Sequence, residues 1–326
     1  MSKKTKKNFT QHLEEEIREE ETAEQRTTSI ANIKSEIANA HAKQDAKIFF
    51  ALAERCFELG LAEEHYNLVL SAARLGHKDA AFLFASMEVT SKKPCDFLQE
   101  HCKLVDADPR CLTLLAQTME SQECGLEFNL QTCFQLENRA ILQALNLMRQ
   151  ANNRTWRHAL FTASCERARL ILDHNLEATD TNPSWMVAKI TLAQFFPIES
   201  AVKYYGLKNL EKMDLHILLG RIADKARVFD DALSHYRAAL AIAQRMGEPL
   251  FFLRARIATI TPDEQEATQL LPNAIAWLDD LGIGKNDEEM PDLVARFSLL
   301  MPREAAERRV KLTSNVPQFS LPPMFS

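Results

Sequence analysis

The chain has 326 residues and only eight glycines, about a third of the ~7% share of an average protein. Hairpin turns draw on residues that adopt positive φ, so this shortage argues against an all-β fold. It also leaves little from which to build a phosphate-cradling loop. No Gly-x-Gly-x-x-Gly, Walker-type loop, His-Glu-x-x-His or Gly-x-Ser-x-Gly occurs. No apolar run approaches the ~18–20 residues of a spanning helix, so membrane insertion is not expected. Lys3, Lys4, Lys6 and Lys7 are not followed by an apolar segment, which makes them a poor secretory signal. The seven cysteines are odd in number and none forms a Cys-x2–4-Cys knuckle. Reduced thiols, no metal or other cofactor and a cytoplasmic location are therefore expected. The formal charge of −6 gives no reason to expect nucleic acid as a partner.

What remains is helix-forming. Leu, Ala, Glu, Gln, Lys, Arg and Met dominate long stretches, and a hydrophobic share of 46% supplies a core. Residues 1–30 are the exception: seven glutamates follow the lysines, and Leu13 and Ile17 are the main apolar positions, so 1–30 reads as a charged, disordered or frayed arm. Beyond it, breaks at Gly60, Gly76, Pro94, Pro109, Gly125, Asn152-Asn153, Pro183, Pro197, Gly206, Gly247, Pro262, Gly282 and Pro302 divide the chain into helix-sized segments.

One segment carries a clear spacing: Leu219, Gly220, Ala223, Ala232, Tyr236 and Ala239. Small residues there let two antiparallel helices approach, and Tyr236 fills the space beside the next pair. The spacing resembles the tetratricopeptide repeat, with these residues at positions 7, 8, 11, 20, 24 and 27 of its 34-residue unit. It recurs thirty-five residues later in Phe251, Ala255, Ala258, Ala267, Leu271 and Ala274, with Arg254 where leucine is expected. Nearer the N-terminus, Phe49, Leu52, Ala53, Cys56 and Gly60, followed by Tyr66, Ala72, Ala73, Gly76 and Ala80, resemble the Sel1-like variant of the same helix-pair family. The resemblance implies an all-α fold of stacked antiparallel helix pairs, an α-solenoid. Its expected parts are Sel1-like or tetratricopeptide-like helices over 31–93, degenerate pairs over 94–212, two tetratricopeptide-like repeats over 213–284, capping helices over 285–313 and a tail over 314–326.

Residues capable of chemistry have simpler readings. Asp230-Asp231 falls at a turn between helices, where aspartate caps the next helix. Cys95, Cys102, Cys111, Cys124 and Cys133 crowd one region, but free cysteine commonly packs as a small hydrophobe. Trp156, Trp185 and Trp277 read as fillers within and between helix pairs. In tetratricopeptide arrays the first helix of each pair faces a concave groove, and the resemblance places Ile217, Arg221, Lys225, Phe252 and Arg256 there. Two guanidinium groups side by side suit a carboxylate, which Arg holds bidentately. The expected function is a non-enzymatic interaction module, as scaffold, adaptor, chaperone or regulator, that binds an acidic or C-terminal peptide of another protein. The competing readings are a peptide-sensing regulator and a helical enzyme with its site in residues 95–210.

Overall fold

The computed structural model describes residues 27–92, 94–179, 181–248, 251–280 and 291–314. Most of the arm at 1–30 and nearly all of the tail at 314–326 lie outside the described residues, as do 281–290. The described residues contain helices and no strand. The chain divides into two compact units, residues 1–163 and 164–326, and the division falls inside a helix.

The first unit holds α1 (27–43), α2 (Ala46–Glu58), α3 (Ala62–Arg74), α4 (Lys78–Thr90), α5 (Asp96–Lys103), α6 (Pro109–Glu120), α7 (Leu130–Gln150) and the start of α8 (Arg154–His174). Helices α2 with α3, α3 with α4 and α6 with α7 pack as neighbours. Polar side chains set where several of them begin. The carboxylate of Asp45 accepts the N–H groups of Lys47 and Ile48, Asp108 precedes Pro109 and accepts that of Arg110, and Asn129 accepts that of Thr132. The small side chains of Ala53, Cys56, Ala72 and Ala80 are fully buried, which lets the backbones come close.

Helix α5 is started from a distance. Its N-cap residue, Cys95, makes no side-chain cap bond. Instead Glu88 on α4, 9% exposed, accepts the N–H of Phe97 at 3.1 Å and of Leu98 at 3.0 Å. Burial pushes this carboxyl up, and the two N–H donors hold it down. Glu88→Ala strands both donors against a helix end and is expected to cost about 2–3 kcal/mol in urea denaturation. Glu88→Gln keeps one acceptor oxygen and is expected to cost less.

The second unit continues from α8 to α9 (Ser184–Leu192), α10 (Ile198–Ala201, extended by a π-turn to Gly206), α11 (Asn209–Lys225), α12 (Phe229–Met246), α13 (Phe251–Ile260), α14 (Glu264–Asp280), α15 (Pro291–Leu300) and α16 (Pro302–Ser314). Gly247 ends α12 at φ +79°, a left-handed closure, with the N–H of Glu248 returning to Ala243. Asp230 and Asp231 differ from expectation. The α12 cap is Val228, without a side-chain cap bond, and the two aspartates occupy the first turn, where they favour the helix dipole.

Two cores meet on α13. Leu253 and Ile257 face Leu233, Tyr236, Ala239 and Ala243 of α12. Ala255 and Ala258 join Ala267, Leu271 and Ala274 of α14, with Leu293 and Phe297 of α15. One ten-residue helix therefore buries two opposite faces. Pro272 lies within α14 without ending it.

Candidate functional site

The residues of the repeat spacing are mostly buried. Ala232, Ala239, Ala255, Ala258, Ala267 and Ala274 are fully buried, and Leu219 and Tyr236 nearly so. Ala223 is half-buried beside the core of α11 and α12. Gly220 sits where α11 meets the Tyr236 ring. A β-carbon there would come within 2.5 Å of a ring carbon.

Ile217, Arg221, Lys225, Phe252 and Arg256, the five residues expected to face the groove, line one cavity of about 600 Å³. Asp224, Tyr236 and Trp277 complete the wall. Tyr236, Phe252 and Trp277 make it aromatic, and Phe252 is 39% exposed at its edge. Trp277 read from sequence as packing filler, because a tryptophan at helical spacing looks the same in a core and in a groove. A second cavity of about 460 Å³, lined by Phe229, Arg256, Thr259, Asp292 and Arg296 among others, shares Arg256 with the first.

The cations of the groove are held from within the unit. Arg256 grips Asp224 with two nitrogens, Nη2 reaching Oδ1 at 2.6 Å and Nε reaching Oδ2. The Tyr236 hydroxyl donates to the same carboxylate at 3.2 Å. The bound carboxylate raises the Arg256 pKa further, while burial beside Asp224 pushes the Tyr236 phenol up. Arg221 pairs through Nη2 with Asp173 near the end of α8. Asp173 also meets Arg169 at 3.4 Å, and Arg169 meets Glu166 at 2.8 Å. Lys225 donates through Nζ to the carbonyl of Leu172 at 2.6 Å. That bond uses one of three ammonium protons and places a cation at the carbonyl end of α8.

Arg221 and Arg256 therefore line one cavity, but each already has a carboxylate. Against the three cations of the wall stand Asp224 and Asp173, which leaves an excess of one positive charge. Asp224 lies one turn from Arg221 on α11 but pairs with Arg256, thirty-two positions on, while Arg221 takes Asp173, forty-eight positions back.

The segment 95–210 has buried thiols and a structural histidine. Burial pushes Cys102 up to about 12 and raises Cys111 further. Both are neutral thiols at pH 7, which is poor chemistry for a nucleophile. His101 accepts the backbone N–H of Asp108 through Nε2 at 3.2 Å, and burial lowers its pKa. Asp108 in turn is clasped by Arg110 through Nε at 3.0 Å and Nη2 at 2.7 Å. The Arg110 guanidinium lies over Phe82 and Trp156, so Trp156 serves packing. Among the described residues no group of three or more His, Cys, Asp or Glu side chains is placed to hold a metal ion, and no helix is long and apolar enough to cross a membrane.

Comparison with protein-family models and with curated proteins gives no match for this chain.

Proposed function

We propose that the chain is a non-enzymatic helical-repeat protein of tetratricopeptide or Sel1-like type that binds a peptide segment of another protein in the cavity between α11 and α14. The observation that carries the reading is the convergence of Ile217, Arg221, Lys225, Phe252 and Arg256 on one aromatic cavity with excess positive charge. The two buried faces of α13 support a continued stack of helices. So does the recurrence of one bond type: Arg221 reaches an aspartate on α8, and Arg256 an aspartate on α11. A scaffold or adaptor role in the cytoplasm follows most simply. The cavity volume also lies in the range of small-molecule sites, which keeps the peptide-sensing regulator as the second reading.

The proposed occupant is an acidic peptide with one large apolar residue. The apolar side chain enters against Tyr236, Phe252 and Trp277, and its carboxylate meets Lys225, the cation not spent on a carboxylate. Display of a randomised peptide library against the purified protein is expected to enrich such sequences. Synthetic versions should alter the Trp277 emission, and this response should vanish in Trp277→Phe. Lys225→Glu or Phe252→Ala should weaken binding at least tenfold while leaving the far-UV circular dichroism intact. Arg256→Glu is a poorer probe because it also releases Asp224. Enrichment of basic peptides, or undiminished binding by both variants, would refute the reading.

A further inference from the structure

The first unit holds two thiols in contact. Cys95 stands at the start of α5, and Cys124 in the turn after α6, twenty-nine positions on. The two thiols are near enough for Cys124 to help raise the Cys95 pKa. Cys124 also donates to the carbonyl of Val89 on α4 at 4.0 Å, so it is aimed back at the α4–α5 junction. The turn that aims it is unusual. Gln122, Cys124 and Gly125 take φ values of +54°, +56° and +73°, and a non-glycine residue there carries a backbone cost. The two thiols differ in access: Cys95 is fully buried, and Cys124 is partly exposed. The sequence set both aside as core cysteines, and neither takes part in the proposed peptide site.

We infer that Cys95 and Cys124 form an oxidisable pair, in which a hydroperoxide converts the two thiols to a disulfide that fastens the turn after α6 to the start of α5. The accessible Cys124 reacts first. Its sulfur attacks the peroxide, an S–O bond forms, the O–O bond breaks, and the departing oxygen takes the thiol proton and leaves as water or alcohol. Cys124 is then a sulfenic acid, oxidised by two electrons. The Cys95 sulfur attacks that sulfur, the S–S bond forms, the S–O bond breaks, and hydroxide leaves with the Cys95 proton as water. For hydrogen peroxide, two thiols and one peroxide give one disulfide and two waters. Burial and the neighbouring Cys124 hold Cys95 as a neutral thiol, with its pKa up at about 12, so the second step is slow at neutral pH and faster as pH rises.

The test uses the full chain, reduced and then exposed to hydrogen peroxide. Digestion with trypsin and a glutamate-specific protease isolates Cys124 in a four-residue peptide ending at Glu127, and parts Cys95 from Cys102 after Glu100. The expected result is a linked Cys95–Cys124 peptide pair, a mass loss of two hydrogens and full reversal by dithiothreitol. Cys124→Ser should abolish the linkage without moving another cysteine into it. In Cys95→Ser, a sulfenic-acid trap should label Cys124. Linkage of either thiol to Cys102, Cys111 or Cys133 instead, or over-oxidation of Cys124 in the wild type without linkage, would overturn the inference. So would the absence of any reaction at Cys124 under conditions that oxidise an unfolded control.

Discussion

Gly220→Ala is expected to destabilise the second unit by about 2 kcal/mol, although alanine is the better helix former. Mid-helix alanine is favoured over glycine by about 1 kcal/mol, so a glycine kept there needs a reason. The reason is Tyr236. A β-carbon on residue 220 would lie 2.5 Å from Cε1 and 2.6 Å from Cδ1 of that ring, where carbon pairs rest at about 3.5–4.0 Å. The ring has no easy retreat. It is 3% exposed, packed among Leu233, Ala239 and Leu253, and tied through its hydroxyl to Asp224. Overpacking of this kind costs about 1–3 kcal/mol, and displacing the ring also puts the Asp224 hydrogen bond at risk. Those costs exceed the gain in propensity. Urea denaturation of Gly220→Ala, Tyr236→Leu and the double variant forms a cycle. With the ring gone, the Gly220→Ala change should be neutral or stabilising, and the coupling should reach about 2 kcal/mol. A gain in stability for the single Gly220→Ala change would show that the contact is absent. The same variant should weaken peptide binding, because Tyr236 is also wall of the cavity.

That dual use of Tyr236 shows how much the sequence could reveal. The small–small–large spacing around Gly220, Ala232 and Tyr236 states a packing rule, and packing rules are local enough to read: of the alanines named in that spacing, Ala232, Ala239, Ala255, Ala258, Ala267 and Ala274 are fully buried and Ala223 is half-buried. Helices α11 to α14 were legible for that reason. Residues 94–212 were not, because their helices close on different chemistry. Helices α6 and α7 pack together with the Thr113 hydroxyl donating to Glu137 and the Cys133 thiol to the carbonyl of Ala116, and α5 is started by Glu88 across a loop. Neither follows a fixed period. The spacing could name residues that line the cavity, but it could not name their ion pairs. Spacing places Arg221 and Arg256 on one wall, but their ion pairs depend on which helix lies alongside. Asp173 is supplied by α8, outside the registered repeats. Two arginines expected to grip a ligand thus also hold helices together, and Lys225 becomes the residue on which the proposed recognition of an anion turns.

Acidification is expected to unfold the second unit through a histidine pair between α11 and α12. His216 and His235 face each other with their Nδ1 atoms 3.1 Å apart, a distance at which at most one nitrogen carries the shared proton. Burial lowers both pKa values, and the neighbouring His235 lowers His216 further, to about 4. Lys212 lowers it further, whereas Glu199 opposes the shift at His216 and Asp231 at His235 without reversing either. In the unfolded chain both rings titrate near 6.5. Between pH 6.5 and 4 the unfolded state therefore binds more protons than the folded one, so stability is complete above 6.5 and lost as pH falls. A pH of 5 lies about 1.5 below the unfolded pKa of His216, and at ~1.36 kcal/mol per pH unit the loss from this ring alone is about 2 kcal/mol. His235 adds to it. Other groups also titrate in this range, so the informative quantity is the difference from His216→Gln/His235→Gln, whose amides do not titrate. Urea midpoints at pH 7.5 and pH 5 should show the wild type losing about 2 kcal/mol more than the double variant. Parallel losses in the two proteins would mean that the rings are solvated and titrate normally. Under the tetratricopeptide resemblance an aromatic is usual at position 216, so His216→Phe is expected to fill the space and remove the His216 share of the acid sensitivity, leaving that of His235.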